Sequence, residues 1–512
     1  MFVRCYASCV VGIDALKVTV EASLSQGIGM FLVGLPDNAI KESQDRIRSA
    51  FNNSDLKMTG KRLVVNLAPA DMRKEGSAFD LPIAVAILAA SEQVAEERLA
   101  DYIIMGELSL DGSIRPVKGA LPIALRAHQE GFKGVILPAA NAAEAAVVEG
   151  VEVIGVKTLK ETVAFLNGTY SIEPLKIDRT ALFREQEGVF PEDFSDVKGQ
   201  AHVKRALEIA AAGGHNVLMI GPPGAGKTML AKRMPSILPP MTLEEALETT
   251  KIHSVAGKIG CEQGLMVRRP FRAPHHLTSQ VALIGGGSNP QPGEVSLAHN
   301  GILFLDELPE FGRSVLEVLR QPLEDKKITV SRARYSVEYP ANFTLIASMN
   351  PCPCGYYNHP DKECVCSPGT VARYLNRISG PLLDRIDLHI EVTPVPLAEL
   401  RDTAPGESSS TIRERVIQAR EIQRRRFAEI EGIHTNAMMN SRMIRQFCPL
   451  SSEAAALLDR AMERLCLSAR AYDRIIKVAR TIADLSAEPN ISARHIAEAI
   501  NYRNLDRESW GR

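Results

Sequence analysis

The segment that most restricts the possible folds of this chain is GPPGAGKT at 221–228, which directly follows the apolar run NVLMI at 216–220. The run has the length of a buried strand, and the MLAKRM that follows has helical composition. A G-x-x-x-x-G-K-[ST] pattern between a strand and a helix is the signature of a phosphate-binding loop. A glycine-rich turn without a ligand is the alternative. The segment has every fixed residue of the pattern, which favours the phosphate-binding loop. We therefore predict a nucleotide-binding α/β domain.

The residue types of this loop suit the binding of a triphosphate. Gly224 and Gly226 let backbone N–H groups close around phosphate oxygens, and the helix N-terminus adds partial positive charge. Lys227 is expected to reach the β- and γ-phosphates, and the Thr228 hydroxyl to bind Mg²⁺. The predicted ATP-binding residues are Gly221, Pro222, Pro223, Gly224, Ala225, Gly226, Lys227 and Thr228.

Two later runs end in polar residues that would complete such a site. GILFLDE at 301–307 is typical of a buried strand ending in two acids, of which Asp306 would bind the metal and Glu307 would orient and deprotonate water. FTLIASM at 343–349 is followed by Asn350, which suits a sensor of the γ-phosphate. Acids and asparagines after strands are also common turn residues. Their order after the phosphate loop favours the catalytic interpretation.

Composition limits the class of protein. Of 512 residues 45% are hydrophobic and 24% charged, and the net charge is −1, so any nucleic-acid surface has to be local. The longest apolar stretch, at 81–90, is too short to cross a bilayer, and the N-terminus lacks a signal-peptide pattern. We expect a cytoplasmic protein with no membrane partner.

The chain divides into four parts by its patterning. Residues 1–168 alternate strand-like and alanine-rich helical runs, which indicates an α+β domain. A polar, aperiodic stretch at 169–193 is typical of a linker. The nucleotide-binding unit covers 194–395, and the part at 396–512 is predicted to be helical.

Four of the nine cysteines crowd into fifteen positions. Cys352, Cys354, Cys364 and Cys366 form two C-x-C pairs around a short loop, a pattern that suits a structural Zn²⁺ site. The pairs are tighter than the common C-x-x-C spacing, and His359 could replace one ligand. Reduced thiols without metal are an alternative, as are disulfides, which a cytosol disfavours.

The order of phosphate loop, LFLDE strand and asparagine-ending strand resembles an AAA+ ATPase. The segments RPFRAPHHLTSQVALIGGGSNPQPGEVSLAHNGILFLDELPEF, MNPCPCG and RISGPLLDRIDLHIEV resemble the magnesium-chelatase-like AAA+ family known as YifB or ComM, over essentially the whole chain. This resemblance implies a fold of the α/β class, with a central parallel sheet and a C-terminal helical lid.

The resemblance also implies roles for single residues. Arg385 in LLDRID would be the arginine finger for the neighbouring subunit, with Arg377 as the reserve candidate, and Arg470 the sensor-2 arginine acting within its own subunit. Val197 and Gln200 would contact adenine. Surface or ion-paired arginines are the alternative. A finger acting between subunits requires a ring, so the family's homohexamer is expected.

Two basic segments look like insertions into the ATPase core. In similar ATPases, insertions at these places face the central channel and bind nucleic acid, and phosphate contacts of this kind are independent of sequence. A solvated hairpin face is the alternative. The predicted DNA contacts are Arg268, Arg269 and Arg272 in the first segment and Lys326, Lys327, Arg332 and Arg334 in the second.

Residues 63–157 resemble the proteolytic domain of Lon, whose Ser–Lys dyad activates a hydroxyl with an amine. Ala78 stands at the nucleophile position and Leu121 at the lysine position, with Ser77 and Lys118 displaced from them. We therefore expect a Lon-like domain without peptidase activity.

Together these features predict a hexameric, Mg²⁺-dependent AAA+ ATPase that moves along single-stranded or branched DNA. The family resemblance suggests branch migration of recombination intermediates during the uptake of transforming DNA. A magnesium-chelatase motor and an ATP-dependent unfoldase are the alternatives. The first would need a tetrapyrrole pocket that we do not identify in the sequence, and an ATP-dependent protease would need the missing dyad.

Overall fold

The computed structural model describes residues 1–512 except 187–189, 261–263, 288–289, 333–334, 360, 397–398, 400–405, 466 and 504–512. The N-terminal part is built on a mixed seven-stranded sheet. In spatial order its strands are Met30–Val33, Arg62–Ala68, Asp14–Ser25, Phe2–Val11, Tyr102–Ile104, Gly134–Pro138 and Glu152–Val156. The long strands Phe2–Val11 and Asp14–Ser25 form an antiparallel hairpin, whereas the last three strands run parallel to Phe2–Val11.

The centre of this domain is the helix Asp80–Ala90, which is buried at every position and packs on the long hairpin. A helix that is apolar all round belongs in a core, which explains the unbroken run DLPIAVAILAA. Its one acid, Asp80, is buried with the guanidinium of Arg46, at 2.7 and 2.9 Å. The other helices are Asn38–Lys41, Ser43–Asn53, Ala120–Gln129, Ala142–Ala145 and Leu159–Leu166, with short 3₁₀ turns at Ser77–Phe79 and Ala139–Asn141 and a small strand pair at Glu107–Leu108 and Ile114–Arg115.

The predicted linker at 169–193 is packed against this domain. It contains the helix Arg179–Gln186. Its apolar side chains rest on the core of the N-terminal domain, as those of Ile172, Ile177, Leu182 and Phe183 show. The predicted linker is therefore packed on the N-terminal domain through these partly buried apolar side chains.

The segment at 194–395, predicted to be the ATPase unit and called the ATPase segment below, also contributes to that core. Met241, Ala246, Leu265 and Val267 are buried in the same cluster as the N-terminal sheet. The helix Leu243–Val255, which carries Ala246, packs on Ala120–Gln129. The two domains thus share one apolar core across the predicted linker.

The nucleotide-binding unit has a five-stranded sheet in which all neighbouring strands are parallel, as predicted. Its order is Phe271–Arg272, Ile302–Leu305, Thr344–Met349, Val217–Ile220 and Leu388–Glu391. Val217 on the strand before the phosphate loop is paired with Ile346 on one side and Leu388 on the other. Parallel strands buried on both faces read as continuous apolar runs, which is why this sheet is visible in the sequence.

Short helices and two small hairpins surround this sheet. The helices are Ala201–Gly213, Lys227–Ile237, Leu243–Val255, Gln280–Ile284, Glu294–Leu297, Arg313–Glu317, Arg320–Asp325, Pro368–Leu375 and Gly380–Leu383, with 3₁₀ turns at Phe194–Asp196 and Leu308–Glu310. The hairpins pair Gly285–Gly286 with Gln291–Pro292, and Lys327–Arg332 with Tyr335–Pro340.

The C-terminal part is helical, as predicted. Its helices are Ser409–Arg426, Ser441–Phe447, Ser452–Arg464, Ala469–Leu485 and Ala493–Asn501, with a 3₁₀ turn at Asn436–Met438. Their apolar faces share a core with the helices behind the phosphate loop. Among the helices of the described ranges, none combines the length and the apolar character needed to span a bilayer.

Candidate nucleotide site

The predicted phosphate loop, Asp306 and Asn350 meet at one edge of the parallel sheet. The loop follows Ile220, Asp306 follows Leu305 and Asn350 follows Met349, so all three stand at the carboxyl ends of strands. This edge is where ligands bind in open α/β sheets.

The loop backbone has the shape that phosphate binding needs. Gly224 has φ +80° and Gly226, which caps the helix Lys227–Ile237, has φ +89°, values that favour glycine. At Gly221, a Cβ would lie 2.2 Å from the carbonyl oxygen of Val392, so the loop begins in close contact with the next strand. The loop is therefore a preformed turn that opens into a helix N-terminus.

Lys227 is buried and its ammonium group bonds to the loop itself. It donates to the carbonyl oxygens of Gly221 at 2.6 Å and Pro222 at 2.9 Å, and to Oδ1 of Asn350 at 3.1 Å. Burial lowers its pKa, while the nearby carboxylates of Asp306 and Glu307 act in the opposite direction. The charge is thus held directly beside the predicted sensor.

Two hard oxygen ligands lie side by side at this edge. The Thr228 hydroxyl donates to Oδ2 of Asp306 at 2.7 Å. The Ser348 hydroxyl donates to the other oxygen, Oδ1 of Asp306. A hydroxyl and a carboxylate are the donor set that Mg²⁺ takes beside phosphate oxygens, so the residues present fit the predicted ion.

The carboxylate of the second acid, Glu307, has a different neighbour from that of Asp306. Glu307 has a left-handed backbone conformation, with φ +54°, and its side chain is 56% exposed. Its carboxylate faces the imidazole of His276, with Nδ1 to Oε2 at 3.4 Å. His276 follows the edge strand Phe271–Arg272, so the segment holding the first basic insertion reaches the acid predicted to activate water.

The predicted adenine side has one unsatisfied group. Gln200 donates from Nε2 to the carbonyl oxygens of Ala225 at 2.8 Å and Thr393 at 3.1 Å, which fixes its amide against the phosphate loop. Its Oε1 is buried and has no hydrogen-bond partner among the described residues. A buried acceptor without a partner is costly, and the amino group of adenine would satisfy it. Val197 is buried nearby in the same core.

The predicted arginine finger is buried within its own chain. Arg385 is 7% exposed, donates to the Pro381 carbonyl oxygen at 2.5 Å and forms an ion pair with Glu324. Arg377 has a side chain that is 54% exposed, and it contacts Glu310 at 2.9 Å, just beyond Glu307. In this conformation Arg377 is therefore the more accessible of the two.

The predicted sensor-2 residue stands at the start of a lid helix. Arg470 lies on Ala469–Leu485, is 65% exposed and faces Asp384 at 3.3 Å. One turn later, Arg474 forms a buried ion pair with Asp387. The lid is thus joined to the segment that carries Arg385 by two arginine–aspartate pairs.

The four predicted metal ligands converge. The Sγ atoms of Cys352, Cys354, Cys364 and Cys366 all lie within 4.8 Å of one another. Cys352 Sγ is 3.3 Å from that of Cys354 and 3.7 Å from that of Cys364, and Cys354 and Cys364 are 3.6 Å apart. All four are free thiols, and the cluster could hold a metal ion. His359 instead uses Nδ1 to accept a hydrogen bond from the Asp361 backbone.

The first basic segment does not form a continuous exposed surface. Arg268 is exposed, but Arg269 is held by Glu245 at 2.8 Å and by the carbonyl oxygens of Pro239 and Asn300. Arg272 pairs through two nitrogens with Glu294, at 2.6 and 2.8 Å. Both guanidinium groups thus bind carboxylates of their own chain, and the DNA contacts of Arg269 and Arg272 stay a prediction.

The second basic segment forms the predicted hairpin, Lys327–Arg332 with Tyr335–Pro340. Its inner face carries Ile328, Val330 and Tyr339, which pack against Ile13 of the N-terminal domain. Lys327 is on the exposed face and pairs with Glu338 at 2.9 Å. Arg334 lies outside the described residues, and of Arg332 only the backbone is described.

Lys326 does not belong to that exposed face. It ends the helix Arg320–Asp325 in a left-handed conformation, with φ +56°. It is half-buried beside Asp387, Lys477 and Arg474, and burial lowers its pKa to about 8. The helix end turns the Lys326 side chain towards the lid, and its contact with DNA stays a prediction.

The Lon-like region keeps a cleft without the dyad geometry. The Ser77 hydroxyl donates to the Glu107 carboxylate, whereas the exposed Lys118 packs its methylenes beside Gly257 of the ATPase segment. Ala78 and the buried Leu121 stand at the aligned nucleophile and lysine positions. Ser77, Ala78 and Lys118 line a cavity of about 540 Å³ between the two domains, and Leu121 does not.

The sequence did not indicate Ser348 as part of the site, and it indicated His276 only as part of the first basic segment. Ser348 is a buried hydroxyl within the apolar run TLIASM, and such a polar residue in a buried strand is a signal that could have identified it. The contact of His276 with Glu307 joins segments thirty residues apart and has no local pattern.

Comparison with known proteins agrees with this architecture. The family model described as "Magnesium chelatase, subunit ChlI" matches residues 193–400. "Subunit ChlI of Mg-chelatase" matches 20–141, and "Magnesium chelatase, subunit ChlI C-terminal" matches 406–503.

Comparison with single proteins identifies the family more closely. The chain is 47% identical over 509 residues to competence protein ComM of Haemophilus influenzae, covering 98% of this chain and 97% of that protein. It is 46% identical over 499 residues to YifB of Escherichia coli, covering 97% and 96%. Lon protease 2 of Bacillus subtilis is 32% identical over 166 residues, covering 30% and 29%. The chain therefore belongs to the YifB/ComM family of magnesium-chelatase-like AAA+ ATPases.

Proposed function

We propose that this protein is a Mg²⁺-dependent ATP hydrolase that works as a hexameric DNA motor. The observation that carries the hydrolase proposal is the contact between Thr228 and Asp306, 2.7 Å long, at the mouth of the phosphate loop. Together these two residues would hold Mg²⁺, which supplies charge neutralisation on the phosphate oxygens.

The remaining residues of the site have complementary roles. Lys227 is released from the carbonyl oxygens of its own loop to neutralise the β- and γ-phosphates. Asn350, already bonded to Lys227, positions the γ-phosphate. Glu307 accepts the proton of the attacking water. Arg470 contacts the γ-phosphate from the lid, and Gln200 and Val197 hold adenine.

The proposal needs a neighbouring subunit to complete the site. Arg385 is the finger that the family resemblance implies, and in the isolated chain it is bound to Glu324. To act on a neighbour it has to leave this pair. Arg377 is exposed beside Glu310 and could serve without that cost. A homohexameric ring would place one of these arginines on each site.

DNA as the substrate is supported by the full-length similarity to a protein named for competence. It is also supported by the exposed face of the hairpin Lys327–Arg332, of which Lys327 is a member. Arg268 offers a second exposed cation. Contacts with phosphates suit a motor, because they are independent of sequence. We propose branch migration of recombination intermediates as the reaction, and the cytoplasm as its location.

A second candidate function is a chelatase-like or protein-remodelling ATPase that does not use DNA. The family models named for magnesium chelatase favour it. In either case we propose that the Lon-like region has no peptidase activity, because Ser77 bonds to Glu107 instead of an amine.

The test is the steady-state ATPase rate of the full chain with Mg²⁺, alone and with single-stranded, forked and four-way-junction DNA. Stimulation by DNA that weakens with salt is the expected result. Glu307→Gln is the hydrolysis-dead control and should lower turnover by about 10²–10⁴-fold while ATP still binds. Glu317→Gln, on the outer helix Arg313–Glu317, is the matched control and should stay active.

An ATPase rate unaffected by every form of DNA would favour the chelatase-like or remodelling function. Full activity of Glu307→Gln would overturn the proposed site.

We further propose that Zn²⁺ is the metal of the cysteine cluster. In a tetrahedral site with Zn–S bonds of about 2.3 Å, neighbouring sulfur atoms lie about 3.8 Å apart. The separations among Cys352, Cys354 and Cys364, 3.3 to 3.7 Å, are close to that value, and Cys366 Sγ lies within 4.8 Å of the other three.

A further inference from the structure

The cysteine cluster touches the phosphate loop directly. Gly355, one residue after Cys354, packs against Pro223, and a Cβ at this glycine would lie 2.6 Å from Pro223 Cδ. Gly355 also has φ +84°, so both its backbone and its surroundings require glycine. The loop that carries the cysteines is thus pressed on the loop that would hold ATP.

A second contact joins the same two loops. Asn350, two residues before Cys352, accepts a hydrogen bond from Lys227 at 3.1 Å. Cys352 is itself fully buried. The first two cysteines therefore lie on the short path of chain between the two points that touch the phosphate loop.

Little else fixes the backbone of this segment. From Asn350 to Ser367 the described residues, which omit 360, contain neither helix nor strand. Apart from Pro351 and Cys352, the described residues of this stretch contribute no buried apolar side chain. A loop of this length is costly to close, and a metal held by four thiolates is a strong way to close it.

We propose that the metal-loaded cluster is a clamp on the ATP site, so that affinity for ATP depends on metal occupancy. Binding of the metal fixes Cys352 and Cys354 relative to Cys364 and Cys366. This holds Gly355 on Pro223 and Asn350 beside Lys227. Loss of the metal frees both contacts, and the phosphate loop loses its support on that side. The inference rests on the proposed binding of ATP at this loop.

The first test removes the metal from the full chain. Bound zinc is measured by elemental mass spectrometry and ATP affinity with a fluorescent ATP analogue, for wild type, for wild type treated with a chelator, and for Cys364→Ser/Cys366→Ser. We expect zinc in the wild type only. We also expect about tenfold weaker nucleotide binding in both metal-free forms, corresponding to one lost charged hydrogen bond. Adding Zn²⁺ back to the chelated protein should restore affinity.

The matched control lies between two of the ligands. Val365 is 85% exposed, and Val365→Ala should change neither zinc content nor affinity. A thermal unfolding curve for each variant shows whether the rest of the chain remains folded.

The second test breaks the clamp without removing a ligand. Gly355→Ala should weaken nucleotide binding by a similar factor even where zinc content is unchanged, because its Cβ collides with Pro223. Nucleotide affinity within twofold of wild type in the metal-free forms would overturn the clamp, as would a wild type that binds no zinc. A zinc-loaded wild type that binds no nucleotide would instead refute the proposed ATP site.

Discussion

The imidazole of His276 and the carboxylate of Glu307 form an ion pair, with Nδ1 and Oε2 3.4 Å apart, when the imidazole is protonated. The His276 ring lies against that of His275, with centroids 4.1 Å apart and the planes tilted by 34°, and it is T-shaped to Phe311. The acid proposed to activate water is therefore held by a residue from the segment that also carries Arg268. This contact links a candidate polymer-binding segment to the hydrolytic step.

Replacing His276 should release Glu307. We expect His276→Ala to raise ATP turnover in the absence of DNA, with unchanged affinity for ATP. A partly exposed ion pair contributes about 1 kcal/mol or less, which limits the increase to about fivefold. His128→Ala, which removes an exposed imidazole of the N-terminal domain, is the control and should leave basal turnover unchanged. A basal rate in His276→Ala equal to that of wild type would show that the pair does not restrain the acid.

The two arginines that could act on a neighbouring subunit, Arg385 and Arg377, should differ in how much they contribute to the free energy of unfolding. Arg385→Ala removes a buried guanidinium group and its pair with the exposed Glu324, and we expect a loss of about 1–2 kcal/mol in the free energy of unfolding. Arg377→Ala removes a half-exposed side chain and should change it by less than about 0.5 kcal/mol. Urea unfolding of each variant gives these values.

ATPase assays on mixed subunits then identify the finger. If an arginine acts across the subunit interface, its alanine variant should regain activity when mixed with Glu307→Gln, because some interfaces then have both wild-type groups. Arg268→Ala, with an exposed arginine away from these contacts, is the control for mixing. Failure of both arginine variants to be rescued would argue against a finger acting in trans.

Lys326 should weaken the fold below about pH 8. Burial holds its pKa at about 8 in the folded chain, whereas the unfolded value is about 10.4. The unfolded chain thus binds more protons between these values, so the stability should rise with pH across that window. Lys326→Met should remove the rise and, because the side chain is half-exposed, stabilise the protein at pH 7 by only about 1 kcal/mol. Urea unfolding at several pH values checks both expectations.

Lys327→Met is the control for Lys326, since Lys327 is exposed on the neighbouring strand. It should leave the pH dependence of stability unchanged. A stability of Lys326→Met that still rises across the window would assign the rise to another group.

Asp387 should contribute to stability at neutral pH. Burial alone would raise its pKa, but Arg474, His215 and the backbone N–H of Asn216 together lower it far below the usual range. A carboxylate with a lowered pKa in the folded state stabilises the fold above its unfolded pKa, about 3.9, and this contribution is lost as the pH falls further. Asp387→Asn leaves Arg474 unpaired and should cost about 3–5 kcal/mol at pH 7.

The measurement is urea unfolding from pH 7 to pH 3. Asp55→Asn is the control, because Asp55 is 88% exposed in its pair with Lys160. A cost that is equally large at pH 3 and at pH 7 would contradict the assignment to an ionised Asp387.

Much of the fold and site could be predicted from local pattern. The phosphate loop, the acid pair at Asp306 and Asn350 follow buried parallel strands, and such strands read as unbroken apolar runs. Cysteine spacing likewise predicts the convergence of the four thiols. In each case the residues that carry the chemistry are next to, or part of, the short segment whose pattern predicts the local structure.

The remainder depends on partners distant in sequence. Whether an arginine is free or paired is decided by acids elsewhere in the chain, such as Glu245 for Arg269 and Glu294 for Arg272. The side chain of Lys326 is directed by the end of a short helix, which hairpin alternation cannot show. Resemblance to the family located Arg385 but could not reveal its pair with Glu324.

The N-terminal domain and the ATPase segment share one apolar core, which makes each part depend on the other for its folding. The last strand of the N-terminal sheet ends at Val156. The core of this sheet nevertheless includes four buried residues of the ATPase segment, Met241, Ala246, Leu265 and Val267. If the chain were divided between the two parts, each fragment would expose apolar side chains that are buried in the intact chain. We therefore expect neither part to be stable on its own, because each supplies side chains that cover the apolar surface of the other.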